Sequence, residues 1–92
     1  MLTIIIYDIK ETNNRNKVIK KLQHYGLKRI QKSAFMGDIK LSYKKELTLA
    51  LQENIQANKD SIIIIPVCNT CQEKIITHGT PLKYTEDEYV IE

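Results

Sequence analysis

Leu2-Thr3-Ile4-Ile5-Ile6-Tyr7-Asp8 is an extended run that ends on a carboxylate. Side chains of a strand alternate between its two faces, so Leu2, Ile4, Ile6 and Asp8 share one face, while Thr3, Ile5, Tyr7 and Ile9 share the other. Both faces read as buried. Ser61-Ile62-Ile63-Ile64-Ile65-Pro66-Val67 repeats the pattern, and unbroken β-branched runs of this kind mark central strands covered on both sides. The helices written into the rest of the chain are too few to cover both faces. A second copy of the same sheet is the simplest remaining cover, and pairing of that kind brings two Asp8 side chains near one another.

Length and composition agree with this reading. The 92 residues make one domain with a modest core, a size at which oligomerisation is a common stabiliser. A hydrophobic content of 42% is that of a soluble globular protein. The N-terminal apolar run is too short for a signal peptide, and Asp8, Lys10 and Glu11 follow it at once. No stretch is long enough to span a bilayer, so no membrane association is expected. With only Cys68 and Cys71 there is no disulfide framework, and a cytoplasmic location is the default expectation.

The net charge of +3 hides an asymmetry. Residues 1–45 carry eleven Lys or Arg against Asp8, Glu11 and Asp38, a balance of +8, whereas residues 46–92 carry three Lys against eight acids, a balance of −5. The first half reads as an anion-binding half, with nucleic acid as the first candidate; a solvated lysine-rich helix face is the alternative.

Thr12 or Asn13 is placed to cap a helix to about Tyr25, with Gly26 ending it. Val18, Ile19, Leu22 and Tyr25 fall on its inner face; Arg15, Lys17, Lys20, Lys21 and His24 fall on the outer one. The helix starts directly after Asp8, which puts Arg15 within reach of a phosphate near that carboxylate. Residues 28–39 are extended, either as one bent strand or as two short strands meeting near Lys32 and Ser33, and Gly37 marks a bulge or a close backbone approach. Ser42 is placed to cap a second helix through about Ala57, with Leu47, Ala50, Leu51 and Ile55 inward. After the second apolar strand, Thr70-Cys71-Gln72-Glu73 has capping-box spacing and predicts a short helix through Ile76. Tyr89-Val90-Ile91 predicts a terminal strand that must find a sheet edge. The order predicts an α+β, ferredoxin-like split βαβ sandwich over residues 1–79, followed by a tail over 80–92 whose strand pairs with a partner subunit.

Asp8 is the sharpest functional candidate. A carboxylate at the end of an apolar strand is costly to desolvate unless it is exposed, hydrogen-bonded or bound to a cation. Two copies brought together relieve their repulsion by sharing a proton or a divalent metal, and magnesium suits one or two carboxylates with several waters. Such a metal activates water for attack on a phosphodiester. The alternative is that Asp8 only caps the following turn. Arg29 and Lys32 interleaved with Phe35 suit base stacking and phosphate contact, yet the single Phe reads first as a core residue and only second as a base platform. Cys68-Asn69-Thr70-Cys71 has the spacing of half a zinc site or of a redox pair, yet the further ligands and the thioredoxin-like context are missing. It reads first as two small apolar residues around a helix start.

Taken in order, Tyr7-Asp8-Ile9, Arg15 through Tyr25-Gly26, Arg29 through Gly37, and Pro66-Val67-Cys68 with Cys71 resemble CRISPR-associated protein two, the small dimeric subunit of the spacer-acquisition machinery. The resemblance implies a ferredoxin-like fold and a two-fold homodimer with opposed sheets. It also implies a metal-dependent endonuclease acting on RNA or double-stranded DNA, and a partner integrase whose dimers the protein bridges. Asp8 matches the family's metal-binding aspartate, and Arg15, Arg29 and Phe35 match positions implicated in cleavage, with Mg2+ as the implied cofactor. Lys17 stands where some members have Arg and keeps the charge without the planar fork. Lys17, Lys20, Lys21 and Lys32 are the expected phosphate contacts. Toxin-type endoribonucleases of toxin–antitoxin systems share the small fold and are the alternative reading.

Overall fold

β1 (Leu2–Asp8) runs through the middle of an antiparallel sheet in the computed structural model, which describes residues 1–79. The chain continues through α1 (Thr12–His24), β2 (Lys28–Gln31), β3 (Ala34–Asp38), α2 (Leu41–Gln52), β4 (Ser61–Val67) and the single turn α3 (Asn69–Gln72). The strand order is β2-β3-β1-β4. This is the ferredoxin-like split βαβ arrangement, with β1 between its two long-range partners. The expected terminal strand Tyr89–Ile91 and the tail 80–92 lie outside the described residues.

The strand register decides which residues share a face. Ile5 stands opposite Phe35 on one side and Ile64 on the other, and Tyr7 stands opposite Ile62. This face meets the helices. Ile5, Tyr7, Val18, Leu22, Phe35, Leu47 and Leu51 form a single buried cluster with Ile9, Leu27 and Ile39. Of the inner stripes expected for the two helices, Val18, Leu22, Leu47 and Leu51 are buried; Ile19, Tyr25 and Ile55 pack at the margin, Ile55 from beyond the end of α2, and Ala50 is half-buried.

The other face carries Leu2, Ile4 and Ile6 of β1 opposite Val67, Ile65 and Ile63 of β4. It is not covered as the first faces are. Ile6 is 41% exposed, Ile65 38% and Ile63 52%, while Ile5, Tyr7, Ile62 and Ile64 beside them are buried or half-buried. A cluster of exposed isoleucines on a sheet face is unusual for an isolated chain and typical of a contact surface.

Residues 28–39 form two strands, which settles the choice left open by sequence. Lys32 and Ser33 make the turn, and a register shift between Arg29 and Gln31 marks a bulge in β2. Gly37 answers a close approach: a Cβ there would meet the Leu27 Cα at 3.0 Å. Gly26 holds φ +85° after α1, a backbone that a side chain rarely adopts.

The helix ends differ from expectation. Glu11, Lys40 and Cys68 occupy the N-cap positions, none with a side-chain capping bond, so Thr12, Ser42 and Thr70 are not the caps. Thr12 Oγ1 instead accepts from Arg15 at 3.1 Å. α2 stops at Gln52, not near Ala57, because residues 54–60 are drawn into turns closed by Asp60. α3 stops at Gln72, short of Ile76.

Candidate functional site

β1 delivers Asp8 to its C-terminal end, on the strand face shared with Ile4 and Ile6. The side chain is 66% exposed. Lys10 folds back over it, its Nζ donating to Oδ1 at 3.1 Å and to Oδ2 at 3.0 Å. The ammonium thus stands where a cation on this carboxylate would stand. Magnesium takes oxygen ligands, is often held by one or two carboxylates, and keeps several waters. One Asp8 from each of two chains fits that ion. Among the described residues no three His, Cys, Asp or Glu side chains cluster, so a single chain supplies no protein-only cage.

A cleft of about 330 Å³ opens beside Asp8, lined by Tyr7, Arg15, Asn16, Arg29, Lys32 and Ser33 among others. Arg15, from the first turn of α1, donates through one Nη to the Ile9 carbonyl at 3.1 Å and through the other to Thr12 Oγ1. These bonds aim its guanidinium along the wall of the cleft. Arg29 faces Phe35 across the β2–β3 ladder, its guanidinium carbon 5.4 Å from the ring centre. Its Nη2 lies 3.5 Å from the Tyr7 hydroxyl, which in turn donates to the Lys32 carbonyl at 3.2 Å. One connected set therefore fixes the cleft floor and the β2–β3 turn together.

Phe35 is 0% exposed, which bears out its reading as a core residue over that of a base platform; it packs beneath Arg29 and against Tyr7. One expected role changes. Lys21 does not face solvent as a phosphate contact. Its Nζ donates to the Ala50 carbonyl at 2.8 Å and to Asn54 Oδ1 at 2.6 Å, and it pairs with Glu53 at 3.2 Å. Lys21 ties α1 to the end of α2, where a cation also meets the negative end of the helix.

Lys17 and Lys20 remain exposed. With Asn13 and Asn16 they line a second depression of about 300 Å³. Asn16 belongs to both hollows, so Lys32, Arg29, Arg15, Lys17 and Lys20 edge a continuous polar track. Sequence reasoning missed Asn16, because an asparagine in a helix among lysines carries no signal of its own.

Asp60 was missed as well. It is nearly buried, its Oδ1 accepting from the Lys10 amide at 3.0 Å and its Oδ2 from the Gln56 amide at 2.9 Å. These two amides, the Lys10 one foremost, hold its carboxyl below the usual carboxylate range, helped by the charges of Lys10 and Lys59. Asp60 pins the loop that carries Lys10 beside Asp8 and leads into Arg15. The ionised form is the one favoured by the fold, so its contribution is complete above the ordinary aspartate value of about 3.9 and is lost as pH falls through the depressed folded value. Asp60→Asn turns one acceptor into a donor facing an N–H. Thermal melts should show the variant several degrees less stable at pH 7, with the gap closing in acid below about pH 4. A gap that stays constant across that range would remove Asp60 from this role.

Cys68 and Cys71 are both exposed, which overturns their reading as small packing residues. Among the described residues no helix is long and apolar enough to cross a membrane.

Comparison with known proteins places these features in a family. The family model described as CRISPR associated protein Cas2 matches residues 1–75. The chain is 37% identical over 73 residues to the CRISPR-associated endoribonuclease Cas2 1 of Methanospirillum hungatei, covering 79% of this chain and 77% of that one. It is 39% identical over 67 residues to a CRISPR-associated endonuclease Cas1/endonuclease Cas2 fusion of Thermoproteus tenax, covering 73% of this chain and 25% of the fusion. Its fold matches the crystal structure of Streptococcus pyogenes Cas2 with a TM-score of 0.74 at 23% identity, over 86% of this chain and all of that one. A split βαβ sheet ending β1 on Asp8, matched over nearly all of its described length, belongs to the CRISPR associated protein Cas2 family.

Proposed function

We propose that this chain works as a homodimer in CRISPR spacer acquisition, binding nucleic acid along its polar track, bridging integrase dimers and cleaving phosphodiesters with magnesium. The observation that carries the reading is the placement of Asp8. It shares a sheet face with exposed Ile6 and stands beside a cleft walled by Arg15, Arg29 and Lys32. Pairing two sheets through Ile6, Ile63 and Ile65 covers the apolar patch and brings two Asp8 side chains to the rim of one interface.

Within that arrangement the residues divide the work. Asp8 from each subunit holds the cation in place of the Lys10 ammonium. Magnesium, when bound, supplies Lewis-acid polarisation of the phosphodiester and eases deprotonation of the attacking water. Arg15 and Arg29 bind the phosphate and stabilise charge that develops on its oxygens. Lys17, Lys20 and Lys32 hold the neighbouring phosphates without reading bases. The endoribonuclease named for the Methanospirillum relative favours RNA as substrate, with double-stranded DNA the other class to assay. The fusion in Thermoproteus tenax supports a Cas1-type integrase as the partner.

Metal removal tests the chemistry. Cleavage of labelled RNA and duplex DNA should require added magnesium and stop with excess chelator; cleavage that proceeds in chelator would sink the metal-dependent reading. Salt tests the track. Observed affinity for a duplex should fall steeply between 50 and 200 mM salt, about tenfold or more for a few phosphate contacts. Replacing Lys17 and Lys20 together by Ala should flatten the log–log slope by about two, one for each lost contact. Binding indifferent to salt would mean that the basic half is only a solvated surface.

A further inference from the structure

Cys68 is the first residue beyond β4, and Cys71 lies three residues on, within the single turn of α3. The Gln72 amide donates to the Cys68 carbonyl at 2.8 Å, which closes that turn around the two cysteines. Residues three apart on a helical turn are neighbours on one face, at a separation a disulfide spans without backbone movement. Both thiols are exposed. A buried structural cysteine does not show this exposure. No third metal-ligating side chain joins the pair among the described residues, so thiol chemistry suits the site better than a closed metal centre.

We propose that Cys68 and Cys71 form a thiol–disulfide exchange site that takes low-molecular-weight disulfides of the glutathione class and closes reversibly into an intramolecular disulfide. The Cys68 thiolate attacks one sulfur of the oxidant, forming a mixed disulfide and expelling the first small thiolate. The Cys71 thiol loses its proton, and its thiolate attacks the Cys68 sulfur and expels the second. Two electrons pass from the protein to the oxidant, which is reduced to two small thiols, and the two cysteine protons are released to them. The order follows the two thiols' acidities: hydrogen bonding from Cys71 holds the Cys68 thiol below its ordinary range, and the Cys71 thiol is pushed up. The bond would lock the turn through which the chain leaves β4, the edge strand that pairs with β1.

The test uses the full chain and glutathione disulfide. Intact mass should fall by two hydrogen atoms at the single-chain mass, alkylation of both cysteines should be lost together, and a reducing agent should restore both. Cys71→Ser, whose hydroxyl can still donate to Cys68, should retain one glutathionyl group on Cys68. That adduct should form about tenfold faster at neutral pH than the one on Cys71 in Cys68→Ser. Two persistent glutathionyl groups, covalent dimers alone, or no change of mass would overturn the internal disulfide. Faster reaction at Cys71 would overturn the assigned order of attack. Both residues are exposed, and the wild-type measurement needs no variant to fold.

Discussion

Asp8→Ala is expected to lower magnesium-dependent cleavage about a thousandfold, a loss on the order of 4 kcal/mol of transition-state stabilisation, while leaving the fold intact. The two halves of that statement come from the same geometry. Asp8 is 66% exposed and its partner Lys10 is 60% exposed, so the pair contributes little to stability, and far-UV spectra and melting should hardly move. Among the described residues the carboxylate is the only one lining the cleft, so removing it takes away the group proposed to hold the cation there. Lys10→Met gives the converse arm. Without the competing ammonium, Asp8 should take magnesium a few-fold more tightly, read by calorimetry without any turnover. Cleavage unchanged in Asp8→Ala would assign the activity to another site, and magnesium affinity unchanged in both variants would place the ion elsewhere.

The fold was legible because its signals are periodic and redundant. Leu2–Asp8 and Ser61–Val67 are apolar at consecutive positions, and Val18, Ile19, Leu22 and Tyr25 keep a helical spacing that only a core can use. What failed was local. Thr12, Ser42 and Thr70 have the right chemistry to cap, yet Arg15 claims the Thr12 hydroxyl, and the helices begin one or two residues earlier than a cap at these residues requires. The same lesson applies at the site. Sequence names a side chain but not what its end meets, so Lys21 read as a free cation until the last turn of α2 and the two residues after it supplied three partners for its ammonium. Phe35 read first as a core residue and second as a base platform beside Arg29 and Lys32, and strand parity turns it to the helix side, under the guanidinium. Asp60 sat in a polar turn, Asn58-Lys59-Asp60, of the kind found in most loops; only folding brings the Lys10 amide to it from across the sheet end.

Ile63→Glu is expected to turn a dimer into a single chain in solution. Ile63 is 52% exposed in the lone chain, so a carboxylate there costs the monomer little. Covered by a second sheet, the same carboxylate loses its water and gains a symmetry mate of like charge. That penalty is roughly 4 kcal/mol or more, about a thousandfold in dissociation constant. Leu49 on the outer side of α2 is 54% exposed and supplies the control: Leu49→Glu changes charge and apolar area by similar amounts on another face. Light scattering should give the single-chain mass for Ile63→Glu and the doubled mass for both Leu49→Glu and the unaltered chain. Cleavage should fall with the dimer in Ile63→Glu although Asp8, Arg15 and Arg29 are all present, because each subunit then holds half of the carboxylate pair. A wild-type chain that runs at single-chain mass at assay concentration would end the paired-sheet reading. Full activity in a monomeric Ile63→Glu would show that one Asp8 suffices.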